Sequence, residues 1–188
     1  MTTDTVTIHV GGSAGHDPYD VLVGHQLLGE LAPLIGTRAK RVAIIHPEAL
    51  SATGDAIRED LAAEGYEAIA LQVPNAEDAK SAEVAAYCWS VLGQTGFTRS
   101  DVIVGLGGGA TTDLAGFVAA TWLRGVRWIS MPTTLLGMVD APRGGNNRLQ
   151  NAQGKQHVGA IHPPAPGHPP GPPTVSNQNF PTGRTVAN

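Results

Sequence analysis

The chain has 188 residues, enough for one domain and a short extension. Hydrophobic residues make up 41%, which supports a buried core, and a formal net charge of −4 gives no basic footprint for nucleic acid. One cysteine, Cys88, excludes an intramolecular disulfide and fits a reducing compartment. The opening stretch MTTDTVTIHVGG has neither the basic nor the long apolar region of a secretory signal. No apolar run reaches membrane-spanning length. The reading is a soluble, cytoplasmic protein with no nucleic-acid or membrane partner.

Residues 5–10 (TVTIHV) alternate β-branched and polar side chains and predict a half-buried strand. Residues 19–23 (YDVLV) read as its partner, across a Gly- and Pro-containing connection. Residues 26–35 predict a short amphipathic helix interrupted by Pro33. Residues 41–45 (RVAII) suit a buried parallel strand. A helix is predicted from about 49 to 63, with Leu50, Ile57 and Leu61 on one face and Gly54 interrupting the pattern. Residues 67–73 (EAIALQV) give the next strand. Residues 81–92 predict a helix with Ala82, Ala85, Cys88, Trp89 and Leu92 on one face, so Cys88 reads as core. A strand at 102–106, a helix at 111–123 and a strand at 127–131 follow. This alternation indicates an α/β fold with a mainly parallel sheet. Ligands on such sheets bind beyond the carboxyl ends of the strands. The turns at 46–48, 75–80, 107–109 and 133–134 all lie there.

Residues 102–113 (VIVGLGGGATTD) carry the strongest local signal. An apolar run enters three glycines and then a helical pattern. Glycines let the backbone approach a ligand closely, and the N–H groups opening the helix favour a phosphate. In the 75–80 turn, Glu77 can accept bonds from ribose hydroxyls and Lys80 can reach a hydroxyl or a phosphate; the same residues also suit a solvated loop opening a helix. Asp113, in the first turn of its predicted helix, equally suits simple dipole compensation. Arg124 equally suits a surface charge at a helix end. Thr133 and Thr134 equally suit a helix cap. The seven histidines, at 9, 16, 25, 46, 157, 162 and 168, have no metal-ligand spacing.

Three segments follow one another in a distinctive order: 107–117 (GGGATTDLAGF), 122–125 (WLRG) and 132–140 (PTTLLGMVD). Their order and spacing resemble the 3-dehydroquinate synthase family, specifically its amino-terminal NAD-binding domain. The resemblance covers residues 5–141 well and continues in patches to 164. It implies a Rossmann-like sheet with NAD as cofactor. It implies that Asn75, Glu77 and Lys80 contact the nucleotide, and that Gly108 and Gly109 pass under the pyrophosphate. Asp113 then lies near the nicotinamide ribose, and Thr133 and Thr134 contact the cofactor. Arg124 matches an arginine that binds the substrate phosphate, often across a homodimer. Asp140 matches the aspartate that binds hydroxyls on the reacting ring. His46 and Glu48 stand where the family often has an Asp-x-Asn that holds the adenosine ribose.

Beyond Asp140 the family reads A/S-x-V-G-G-K-T-G-I-N and then G-K-N. This chain reads APRGGNNRLQ at 141–150 and GKQ at 154–156. Lys155 matches a family lysine that joins the catalytic and cofactor contacts. Asn146 replaces the lysine near the nicotinamide and the substrate carboxylate, and asparagine carries no charge. Residues 162–173 (HPPAPGHPPGPP) hold seven of the fourteen prolines and cannot form a helix or a central strand. The expected organisation is therefore an NAD-binding α/β domain at 1–160 and a Pro/Gly-rich tail without regular structure at 161–188.

The family's helical second half carries a metal-binding glutamate and two histidines. None of it is recognisable here, so the zinc or cobalt ligands are expected to be missing. The ending reads as an out-of-frame, truncated product of a GC-rich gene. The resemblance implies cyclisation of 3-deoxy-D-arabino-heptulosonate 7-phosphate, a phosphorylated sugar acid, to 3-dehydroquinate with release of phosphate. NAD⁺ transiently oxidises a ring hydroxyl, and a divalent metal polarises it. The chain alone is expected to have little synthase activity. Other readings are a cyclase for a different sugar phosphate, an iron-dependent alcohol or glycerol dehydrogenase, and a non-catalytic nucleotide-binding fragment.

Overall fold

Four apolar runs pair as one parallel sheet. They are β3 (Arg41–Pro47), β4 (Glu67–Val73), β5 (Val102–Gly107) and β6 (Arg127–Pro132). The computed structural model describes residues 6–10, 19–24, 27–134, 146–149, 158–161 and 174–177. The strand order is β4-β3-β5-β6. Ile44 sits opposite both Ala70 and Val104, and Gly105 opposite Ser130. From Val42 to Pro47, and along all of β5, the residues are buried. Such runs of Val, Ile and Leu, without alternation, are what a sheet covered on both faces requires.

The covering helices divide between the faces. α1 (Leu31–Ile35) and α2 (Ser51–Ala63) pack Leu31, Ile35, Ile57 and Leu61 against Val42, Ile44, Val104, Leu106 and Met131. α3 (Ala82–Gln94) and α4 (Gly109–Thr121) pack Ala85, Leu92, Leu114 and Val118 against Ala43, Ile45, Leu71 and Ile103. Cys88 lies in this second core, fully buried, and burial pushes its thiol up to about 12. It is inert packing, as its position on the apolar face predicts. α2 carries the chain outward from β3 to β4 on one face; α3 and α4 carry it back to β5 and on to β6 over the other. The direction reverses between β3 and β5, and a crevice opens there at the carboxyl ends of the strands.

Two polar features fix the opposite end of the sheet. The fully buried Asp101 carboxylate accepts from Thr98 N (2.7 Å), Thr98 Oγ1 (2.8 Å), Arg41 N (2.8 Å) and Lys40 N (3.1 Å). Burial alone would raise its pKa, but these donors outweigh that and hold it below the ordinary value of 3.8. Arg127 donates to Ile35 O at 3.0 Å and Leu34 O at 2.9 Å, satisfying carbonyls at the end of α1.

Several elements differ from the sequence expectations. The 26–35 helix is a 3-10 turn, Leu27–Glu30, followed by α1. α3 begins one residue later, capped by Ser81 Oγ, which accepts from Val84 N at 3.2 Å. α4 begins two residues earlier than predicted and stops at Thr121. β1 (Val6–Val10) and β2 (Tyr19–Gly24) form the expected pair, which is antiparallel, but Val6 and Ile8 are exposed, not half-buried. β7 (Asn146–Leu149) and β8 (Val158–Ile161) form a second antiparallel pair. Within the segment expected to lack regular structure, β9 (Thr174–Asn177) pairs parallel to β2. Its β-branched Thr174 and Val175 favour that conformation once the proline run is past. Residues 162–173 and 178–188 lie outside the described residues. Among the described residues no helix is long and apolar enough to cross a membrane.

Candidate functional site

The crevice is floored by the turn from β5 into α4. Gly107 closes the strand with φ +155, a conformation that L side chains rarely adopt. A Cβ there would also lie 2.9 Å from Thr111 and 3.2 Å from the Pro47 ring. Gly108 is the N-cap of α4, and its carbonyl accepts from the amides of Thr111 and Thr112, both at 3.1 Å. The amides of Gly109 and Ala110 come earlier, in the turn where helix geometry supplies no internal acceptor. Gly108 sits beneath Thr134: a Cβ on it would lie 3.4 Å from Thr134 Cγ2. A Cβ on Gly109 would meet nothing within 4 Å. The three glycines therefore have separate jobs. Gly107 allows close packing, Gly108 passes under Thr134, and Gly109 leaves the mouth open. Thr133 N donates to Gly107 O at 2.8 Å and ties the end of β6 to this floor.

Charge enters from the β4–α3 turn. Asn75 precedes a short 3-10 turn, Ala76–Ala79, and Lys80 follows it. Lys80 is 5% exposed, and its Nζ lies 2.7 Å from Asp113 Oδ2 and 3.8 Å from Glu77 Oε1. A buried ammonium is tolerated only when paired. Here a strong contact to Asp113 and a looser one to Glu77 supply that pairing. Asp113 and Glu77 are both partly open to solvent. The sequence expectation for Asp113 needs correction. It is the fifth residue of α4, beyond the first turn, and its partner is Lys80 and not the helix dipole. Its longer reach into the helix follows from the helix starting at Gly109.

Asn75 also acts differently from a helix cap. Its Oδ1 accepts from Ala49 N at 3.2 Å, joining the β4–α3 turn to the turn after β3. His46 is 3% exposed and does not line the crevice. Its ring faces α2 at Gly54, and Nδ1–H donates to Pro47 O at 3.0 Å. Glu48 is exposed at the start of a 3-10 turn, Glu48–Leu50. The Asn75–Ala49 bond and the packing of His46 had no local sequence signal.

The arrangement offers helix amides for a phosphate, carboxylates for hydroxyls, and a fixed ammonium between them. The model for the 3-dehydroquinate synthase N-terminal domain matches residues 70–166. The chain belongs to the 3-dehydroquinate synthase family. The 3-dehydroquinate synthase of Streptomyces avermitilis is 72% identical over 165 residues, 88% of this chain and 46% of that protein. The chain thus spans about half the length of the curated relatives it matches. Among solved structures, 2-deoxy-scyllo-inosose synthase, complexed with carbaglucose-6-phosphate, NAD⁺ and Co²⁺, superposes with a TM-score of 0.76 at 19% identity, covering 95% of this chain and 46% of that one. A 2-epi-5-epi-valiolone synthase from Streptomyces hygroscopicus subsp. jinggangensis, with NAD⁺ and Zn²⁺ bound, gives 0.73 at 25% identity, covering 91% and 46%. The α/β fold is therefore the one these cyclases share.

The remaining expected residues of this family member are placed unevenly. Arg124 lies outside α4, in a 3-10 turn, Trp122–Arg124, with φ +67, beside Leu123 at φ +49. It is exposed and is not at the end of a regular helix. Asn146 opens β7, a strand that packs against α4. Asp140 and Lys155 lie outside the described residues. Among the described residues no three His, Cys, Asp or Glu side chains gather to hold a metal ion.

Proposed function

We propose that this chain is the NAD-binding half of a 3-dehydroquinate synthase. The reaction is cyclisation of 3-deoxy-D-arabino-heptulosonate 7-phosphate to 3-dehydroquinate, with loss of phosphate. The observation that carries this reading is the Lys80–Asp113 ion pair, held at 2.7 Å beside an open helix N-terminus. Dinucleotide recognition needs both phosphate donors and hydroxyl acceptors within one crevice.

The residues present fit NAD. Gly108 and Gly109, with the α4 amides, would cradle the pyrophosphate, and the open space at Gly109 is where a side chain would intrude. Asn75, Glu77, Lys80 and Asp113 would hold ribose hydroxyls, and Thr133 and Thr134 would close the β6 side. NAD⁺, when bound, supplies a transient acceptor for the hydride of a ring carbon that bears a hydroxyl. Lys80 holds Asp113 in place at 2.7 Å, with Glu77 at 3.8 Å, so that the carboxylates can accept hydrogen bonds from hydroxyls. Asp140, Lys155 and Arg124 would serve the sugar acid, with Arg124 reaching its phosphate in a homodimer, and Asn146 and Lys155 would join the cofactor contacts. Among the described residues the donor set does not fit a metal. The protein would act in the cytoplasm.

Titration calorimetry of the 188-residue chain with NAD⁺ tests the proposal. Gly109→Asp is the control, because a Cβ there meets no atom within 4 Å while the added carboxylate would oppose a pyrophosphate. Binding by the native chain, lost in the variant, is expected. A folded native chain that releases no heat with NAD⁺ would overturn it.

A further inference from the structure

We infer that His46, wedged between β3 and α2, is a positioning residue for the glycine turn across the crevice. The inference rests on the dinucleotide reading above. His46 stands near the carboxyl end of β3, and its side chain faces α2 and not the ligand space. A Cβ on Gly54 would lie 2.5 Å from His46 Cδ2, 2.8 Å from Nε2 and 2.9 Å from Cγ. The imidazole therefore lies directly on the α2 backbone, where only glycine leaves room. Contact this close fixes the ring in one plane.

The fixed ring orients the next residue. Nδ1–H donates to Pro47 O at 3.0 Å, so the peptide after Pro47 cannot rotate freely. The Pro47 ring in turn approaches Gly107, to within 3.2 Å of the position of an added Cβ. Two residues on, Ala49 N is held by Asn75 Oδ1 at 3.2 Å. A single buried side chain thus sets the wall formed by Pro47 and Ala49. That wall faces both the phosphate-side turn at Gly107 and the hydroxyl-side turn at Asn75. Neither Gly54 nor His46 touches the crevice, so the pair acts only through this wall.

The test uses the full 188-residue chain and three variants. His46→Leu keeps apolar volume and removes the donor. His46→Asn keeps an N–H near the Nδ1 position and removes the atoms that crowd Gly54. Gly54→Ala displaces the ring. Backbone hydrogen exchange is read in the free chain at Ala49 and at Thr133, whose N–H donates to Gly107 O, and NAD⁺ affinity is read by calorimetry. His46→Leu and Gly54→Ala are expected to speed exchange at both amides. They should also weaken NAD⁺ about tenfold, the equivalent of about 1.4 kcal/mol. His46→Asn is expected to stay within about twofold of native, a difference of about 0.4 kcal/mol. Adding Gly54→Ala to His46→Asn should cost nothing more. A purely structural role would lower the melting temperature of all variants without this rescue. Unchanged exchange at Ala49 and Thr133 in folded His46→Leu, or equal losses in His46→Leu and His46→Asn, would overturn the inference. A His46→Leu chain that fails to fold leaves Gly54→Ala, with and without His46→Asn, to decide by the same exchange readout. Absence of NAD⁺ binding by the native chain would overturn the dinucleotide reading, while the exchange pattern would still decide the positioning role.

Discussion

Lys80 Nζ lies 2.7 Å from Asp113 Oδ2, joining the β4–α3 turn to the second turn of α4. The two ends of this pair differ in exposure: 7% of the Lys80 side chain is accessible, against 33% for Asp113. Removing each partner should therefore cost different amounts. Asp113→Asn removes the negative charge beside a buried ammonium, leaving Glu77 at 3.8 Å as its carboxylate partner among the described residues, and should lower stability by roughly 1–3 kcal/mol. Lys80→Met removes the buried charge itself and leaves a carboxylate that water can reach, so its cost should be smaller. Urea unfolding midpoints of the two variants check this order. Both should lose NAD⁺ affinity.

The approach of α4 to the sheet gives a second prediction. A Cβ on Gly105 would fall 2.6 Å from Ala115 Cβ. Gly105→Ala should cost roughly 1–3 kcal/mol through overpacking. Adding Ala115→Gly should recover most of that loss, apart from the roughly 1 kcal/mol that a helix-interior glycine costs. Thermal unfolding of the single and double variants measures it.

Asp101 sets an acid limit. Its native pKa lies below the ordinary 3.8, so its stabilising effect is complete above that value. The stabilisation is lost as pH falls through the native value, because protonation weakens the acceptor for Thr98, Arg41 and Lys40. Unfolding free energy followed from pH 7 downward should drop below about pH 4, near the ordinary aspartate value. Asp101→Asn should flatten that limb and cost roughly 1–3 kcal/mol at neutral pH, since an amide cannot accept from all four donors.

The turn after α4 stores strain. Leu123 has φ +49 and is 43% exposed, so little packing holds it there. Leu123→Gly should raise stability by up to about 1 kcal/mol by relieving the left-handed conformation. Denaturant titration would register an unchanged slope with a higher midpoint.

The sheet was legible because β5 is an unbroken apolar run, and β3 and β6 are mostly apolar runs, separated by amphipathic stretches. Cys88 was legible for the same reason, since it shares a helical face with Ala85 and Leu92. The start of α4 was misjudged because Gly109 is a poor helix former, and only its position above β5 makes it the first helical residue. The half-burial expected of β1 failed because alternation names two faces but does not supply a partner for either. The contact of Lys80 with Asp113 links residues far apart in sequence, so no periodicity announces it; family resemblance nominated both residues, and the fold brings them together. His46 was misplaced for a related reason. Its distance from the glycine turn in sequence says nothing of which face of β3 it occupies, and that face is decided by the room at Gly54.

Three contacts define the crevice: Lys80 with Asp113, Asn75 with Ala49, and Thr133 with Gly107. Each joins the end of one strand to an element formed from a distant part of the chain. The crevice therefore has no precursor in any local piece and exists only after β6 has docked on β5. A ligand seated there binds the finished sheet and nothing earlier, so it draws the folding equilibrium toward completion by mass action. The stability of the folded chain would then rise and fall with the concentration of that ligand.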